Sequence, residues 1–210
     1  MQSVALIDYG SGNLRSAEKA LRRAAGDAAD IVVTSDPDLV ARADRVVLPG
    51  VGAFAACMGA LRERGGLIEA VTEAVQQRGA PFLGVCVGMQ LLATRGLEFG
   101  ETAGLGWIGG DVVRMEPSNP ALKVPHMGWN ALDVTRDHPL LEGQGAAHMY
   151  FTHSFALRPA NEADVVARAE HGGSFVAAVA RGNVAGVQFH PEKSQGAGLK
   201  LLANFLEWRP

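Results

Sequence analysis

Short apolar runs alternate with amphipathic stretches through the first ninety residues. Val4-Ala5-Leu6-Ile7, Ile31-Val32-Val33-Thr34, Arg45-Val46-Val47-Leu48 and Pro81-Phe82-Leu83-Gly84-Val85 each have the length of a buried strand. Between the first two, Leu14, Ala17, Leu21 and Ala24 fall on one helix face, with Asn13 placed to cap it. Ser35-Asp36-Pro37 opens a short helix through Val40, and two helices are predicted at 54–64 and 67–78, the second ended by Gly79. This alternation predicts an α/β fold: a mixed, mostly parallel sheet with helices on both faces. Ligands then bind beyond the carboxyl ends of the strands, where Asp8, Gly50 and Cys86 stand.

After Ala93 the pattern becomes richer in antiparallel strands. Candidates are 112–115, His148-Met149-Tyr150-Phe151-Thr152-His153, 164–169, 174–180 and 184–189. Arg181-Gly182-Asn183 between the last two is a hairpin signal. A closing helix is expected over 196–208, with Leu199, Leu202, Phe205 and Leu206 facing inward. No repeat, low-complexity tract or linker divides the chain, so residues 1–210 are read as one domain.

Composition narrows the function. The 210 residues are 48% apolar, and the net charge is −3 without a long run of one sign. That excludes a basic nucleic-acid-binding surface and a polybasic membrane surface. The N-terminal residues enter a strand pattern without a signal peptide, and no apolar stretch reaches the ~20 residues of a membrane span. A cytoplasmic protein is expected. Cys57 and Cys86 lie in unrelated contexts, which argues against a disulfide framework. The six histidines show no His-x-x-x-His spacing, and no Cys-x-x-Cys is present, so no metal site is expected. Gly10-x-Gly12 lacks the third glycine of a dinucleotide fingerprint, since position 15 is arginine. No phosphate loop appears, and no cofactor is expected.

Two stretches carry candidate chemistry. Gly84-Val85-Cys86-Val87-Gly88 joins a strand to Gly88-Met89-Gln90-Leu91-Leu92-Ala93, read as the start of a helix. This has the form of a nucleophile elbow with cysteine as nucleophile, on a tight turn. The helix N-terminus then favours a thiolate and can hold an oxyanion. The alternative is a buried structural cysteine at a strand–turn–helix joint. Val187-Gln188-Phe189-His190-Pro191-Glu192-Lys193-Ser194 ends a strand in His-Pro-Glu. Its simplest form is a surface turn. With a cysteine elbow in the same chain, His190 becomes the base for Cys86 and Glu192 the partner that fixes its tautomer, in the order Cys, His, Glu of the elbow hydrolases. Pro49-Gly50-Val51-Gly52, at the end of another strand, offers flexible N–H groups or is a plain turn. Cys57 and Met58 are read as packing residues.

The elbow together with Phe189-His190-Pro191-Glu192 resembles the triad (class I) glutamine amidotransferases. Asp8-Tyr9-Gly10-Ser11-Gly12-Asn13, Pro49–Gly52 and Pro125-His126-Met127-Gly128-Trp129-Asn130 narrow the resemblance to glutaminase subunits of imidazole glycerol phosphate synthases, over essentially the whole chain. Val87 departs from the leucine or isoleucine more common there. The resemblance implies a flavodoxin-like class I fold and glutamine hydrolysis through a Cys86 thioester, with His190 and Glu192 completing the triad. It implies that the N–H of Val87 and the loop Gly50-Val51-Gly52 hold the oxyanion. Gln90, Ser154 and Phe155 then contact the substrate. It also implies a heterodimer with a (β/α)8-barrel cyclase that receives the ammonia, with Met127, Trp129 and Lys193 as candidate interface residues. Trp129 could instead belong to the core. The alternatives are a glutaminase serving pyridoxal phosphate, anthranilate or guanylate synthesis, or a non-catalytic glutamine-binding regulatory module.

Overall fold

The computed structural model describes residues 1–210. The strands are β1 (Gln2–Ile7), β2 (Ala29–Thr34), β3 (Arg45–Gly50), β4 (Phe82–Cys86), β5 (Arg95–Gly96), β6 (Thr102–Ala103), β7 (Gly110–Arg114) and β8 (His126–Ala131). They continue with β9 (Asp133–Val134), β10 (His148–His153), β11 (Phe155–Pro159), β12 (Val165–Glu170), β13 (Ser174–Arg181) and β14 (Val184–Val187). The helices are α1 (Leu14–Ala25), α2 (Pro37–Arg42), α3 (Phe54–Glu63), α4 (Leu67–Thr72), α5 (Val87–Gln90) and α6 (Gln195–Glu207).

The main sheet runs β2-β1-β3-β4-β14-β13-β12-β9. Pairing is parallel from β2 to β14 and antiparallel from β14 onward, so the sheet is mixed as the pattern predicts. The parallel strands read as unbroken apolar runs because both faces are covered: Val4, Leu6, Ile7, Val46 and Leu48 are buried without residue. β8 and β10 form a separate antiparallel ribbon, and β11-β7-β5-β6 a small sheet. No helix is long and apolar enough to cross a membrane.

Three elements differ from expectation. Asn13 stands at the start of α1, but its side chain makes no capping bond. Asp36, by contrast, caps α2 by accepting from the Asp38 N–H at 2.9 Å. The second helix of the 54–78 stretch is α4 continued by a π-helical turn, Glu73–Gln77. The helix after Cys86 is one turn long. Its continuation is replaced by a loop that takes the helical carbonyls: Leu105 N–H donates to Leu91 at 2.8 Å, Ile108 to Leu92 at 3.0 Å and Gly106 to Ala93 at 3.0 Å. A dipole of one turn does little for an anion placed at its N-terminus.

Candidate active site

Cys86 ends β4 and enters α5 with φ 55° and ψ −111°. A side chain with a Cβ pays for this left-handed backbone in strain, which tight packing around the turn sustains. The packing is backbone on backbone. A Cβ on Gly88 would lie 1.9 Å from the Leu48 carbonyl oxygen, and one on Gly84 would lie 2.5 Å from the Gly88 oxygen. β3 is thereby drawn against the elbow, with Gly50 in register with Cys86.

β14, the parallel neighbour of β4 on its other side, delivers the histidine. Its ladder ends at Val187, short of the expected Phe189, and the chain passes through Gln188 and Phe189 to His190. His190 N–H donates to the Tyr150 carbonyl at 2.9 Å. Ser194 braces the turn: its hydroxyl donates to the His190 carbonyl at 2.6 Å and accepts from the Tyr150 N–H at 3.0 Å. Pro191–Lys193 is a 3-10 turn that folds Glu192 back, and His190 Nδ1 meets Glu192 Oε1 at 2.8 Å with both side chains buried. A carboxylate can only accept, so Nδ1 carries the proton and Nε2 is left as the base. His190 Nε2 is buried without a hydrogen-bond partner. Burial disfavours the imidazolium, but the Cys86 sulfur and the Glu192 carboxylate outweigh it and push His190 up to about 9. The site is arranged to hold a proton taken from the thiol.

An open cavity of about 410 Å³ lies over these groups. Val51, Gly52, Cys86, Val87, Gln90, Ser154, Phe155, His190 and Lys193 line it. Every residue expected at the substrate apart from Gly50 therefore borders one space, and Gly50 lies in register beneath it. Some of their polar groups are already engaged. Gln90 Nε2 donates to the Phe155 carbonyl at 2.9 Å and to Gln188 Oε1 at 3.0 Å. The Phe155 carbonyl also meets His153 Nδ1 at 3.0 Å, and the Ser154 carbonyl accepts from the Met115 N–H at 2.9 Å. Gln90 thus braces the cavity wall by joining Phe155 to Gln188.

The Pro49–Gly52 loop is held from an unexpected side. The Val51 carbonyl accepts from the Ser11 hydroxyl at 2.9 Å and from the Cys57 thiol at 3.3 Å. The Tyr9 hydroxyl, whose ionisation burial suppresses, donates to the Pro49 carbonyl at 2.7 Å. Cys57 does more than pack, and no local pattern in the sequence indicates this role. Val51 itself is 41% exposed, and Gly52 has φ 97°.

Met127 and Trp129 are 63% and 47% exposed on β8, so Trp129 is not a core residue. Trp129 packs edge-on against Tyr150 of β10, and Lys193 Nζ lies 5.7 Å from the Tyr150 ring centroid. Trp129 and Lys193 thus meet at Tyr150, and Lys193 also lines the cavity.

The model of the class-I glutamine amidotransferase family matches residues 5–208. The chain is 66% identical to the imidazole glycerol phosphate synthase subunit HisH of Caulobacter vibrioides over the full length of both. It is 59% identical to the protein of the same name from Rhodospirillum rubrum, over 99% of each chain. Among solved structures, one described as a glutamine amidotransferase matches with TM-score 0.72 at 24% identity over 97% of both chains. PurLQS from Thermotoga maritima matches with TM-score 0.73 at 22% identity over 98% of both. At that identity the likeness is one of fold.

Proposed function

The chain belongs to the class-I glutamine amidotransferase family, and we propose from that premise how its site works and whom it serves. It is a glutaminase of the imidazole glycerol phosphate synthase type, in histidine biosynthesis, as its full-length relatives are named. Residues 1–210 act as one catalytic unit. The observation that carries the reading is the buried His190–Glu192 pair beside a cysteine held at positive φ over an open cavity.

Cys86 attacks the side-chain carbonyl carbon of glutamine while its proton passes to His190 Nε2. The oxyanion is held by the Val87 N–H and by the Gly50-Val51-Gly52 loop. His190 returns the proton to the departing nitrogen, and ammonia leaves. Water, deprotonated by His190, then attacks the γ-glutamyl thioester. Glutamate is released and the thiol restored. Glu192 fixes the imidazole through its bond to Nδ1.

Ammonia released into water is lost to synthesis, so the site needs a partner that carries an acceptor. The partner proposed is the barrel cyclase, docked on the face of Met127, Trp129 and Lys193. The exposed apolar side chains of Met127 and Trp129, and Lys193 at the cavity lining, support this reading. The test is glutamine hydrolysis by the chain alone and with the cyclase plus its nucleotide ligand. The expected outcome is a rise of two to three orders of magnitude on addition, roughly what one oxyanion donor supplies, and a weaker complex for Trp129→Ala. Full activity of the isolated chain contradicts the coupling.

A further inference from the structure

Gln188 follows the end of β14, two residues before His190, and is wholly buried. Its Nε2 sits 3.7 Å from Cys86 Sγ, within the reach of a hydrogen bond to a sulfur atom. An amide can point either end at a neighbour, so its orientation has to be argued. The surroundings decide it. The Phe155 carbonyl is only an acceptor, and the Gln90 end that meets it at 2.9 Å must be the NH2 group. The same NH2 meets Gln188 at 3.0 Å, so the Gln188 end there must be its oxygen. The remaining end of Gln188, its NH2, therefore faces the sulfur.

The anchor of this chain is itself fixed. His153 Nδ1 approaches the Phe155 carbonyl at 3.0 Å and so carries hydrogen. Its Nε2 is then bare and accepts from His126 Nδ1 at 3.2 Å, and His126 Nε2 in turn faces Asn130 Nδ2 at 3.4 Å. Asn130 Nδ2 also donates to the Glu170 carbonyl at 2.7 Å, which fixes its orientation. Every member of the row has one allowed polarity, set by backbone carbonyls at Glu170 and Phe155.

We propose that Gln188 is a fourth catalytic residue of this site, donating its amide N–H to the Cys86 sulfur and stabilising it as the thiolate. The proposal rests on the glutaminase reading given above. Its step adds no proton of its own. The thiol proton goes to His190 Nε2, and Gln188 keeps both amide hydrogens while donating one to the sulfur anion. The same donor acts again when the thiolate leaves the second tetrahedral intermediate. It supplies locally what a helix of one turn cannot.

The test is the pH dependence of Cys86 alkylation by iodoacetamide in the full chain, read by mass on the Cys86 peptide. Gln188→Leu keeps the bulk and removes the donor. Gln188→Asn keeps the amide and withdraws it from the sulfur, and it serves if the leucine variant fails to fold. In either variant the rate at pH 7 should fall about tenfold, the scale of a hydrogen bond to a charged group. The variant and native rates should converge at high pH, where the thiol ionises unaided. With the cyclase present, kcat for glutamine should fall by a similar factor while KM changes little. Alkylation curves that superimpose on the native one overturn the proposal, even if the native protein hydrolyses glutamine. If the curves separate but the native complex hydrolyses no glutamine, the contact of Gln188 with the sulfur stands and the glutaminase reading falls.

Discussion

His190 and Glu192 are buried together, yet their tasks are unequal. In the proposed mechanism the imidazole gives and takes the proton, whereas the carboxylate, 2.8 Å away, only fixes its tautomer and charge. His190→Ala should lower the rate of thioester formation by several orders of magnitude, and Glu192→Ala by distinctly less. Rapid-quench measurement of the first turnover checks this, and equal losses contradict it. At this scale the sequence was partly legible. Cys86, His190 and Glu192 stand out because an elbow and a His-Pro-Glu turn are local patterns. Gln188 and Ser11 do not, because their partners lie far away in the chain: 102 residues separate Gln188 from Cys86, and 40 separate Ser11 from Val51.

At the scale of the element, the loop after β3 carries a second prediction. The Val51 carbonyl is tied by the Ser11 hydroxyl and the Cys57 thiol, and these bonds hold the loop in its present conformation. Gly50 and Gly52 flank Val51, so the peptides there can rotate when those bonds yield. Removing a donor should make the alternative conformation easier to reach. Ser11→Ala or Cys57→Ala is expected to raise hydrolysis by the isolated chain a few-fold, the scale of one ~1 kcal/mol bond, and to shrink the stimulation by the cyclase correspondingly. Steady-state assays with and without the cyclase decide this, and an unchanged stimulation ratio contradicts it. The strands of the parallel core were legible from their apolar runs, as was the β13–β14 hairpin from Arg181-Gly182-Asn183. The length of α5 was not, because the carbonyls of Leu91, Leu92 and Ala93 just beyond it accept from Leu105, Ile108 and Gly106, which lie further along the chain. The β8–β10 ribbon was legible only in part: 148–153 shows strand character, but its separation from the main sheet is a tertiary choice.

The whole molecule carries a further consequence in its stability. Burial holds His126 and His153 down at about 4, with the neighbouring histidines adding to the effect, so both are neutral in the fold. In the unfolded chain a histidine titrates near 6.5. Between about 6.5 and about 4 the unfolded state therefore binds more protons, and folding stability must fall as pH is lowered through that window. The loss at pH 5 is at most about 2 kcal/mol for each histidine. Urea unfolding at pH 7 and pH 5 should show a lower midpoint at pH 5, with a smaller drop in His126→Gln. An identical drop in the variant contradicts the assignment. The fold class was legible at this scale because alternation of strand and helix leaves few topologies. The row of side chains that joins Asn130 to the sulfur was not, since it draws on β8, β10, α5 and the segment after β14.

The central claim is that these elements together make Cys86 a nucleophile toward glutamine. The most direct measurement is acid quenching of the chain, cyclase and nucleotide ligand during turnover of radiolabelled glutamine, followed by mapping of the label. A γ-glutamyl label on the peptide containing Cys86, lost in Cys86→Ala while that variant remains folded, is the predicted result. Label on the peptide containing Cys57, or hydrolysis that survives in Cys86→Ala, contradicts it.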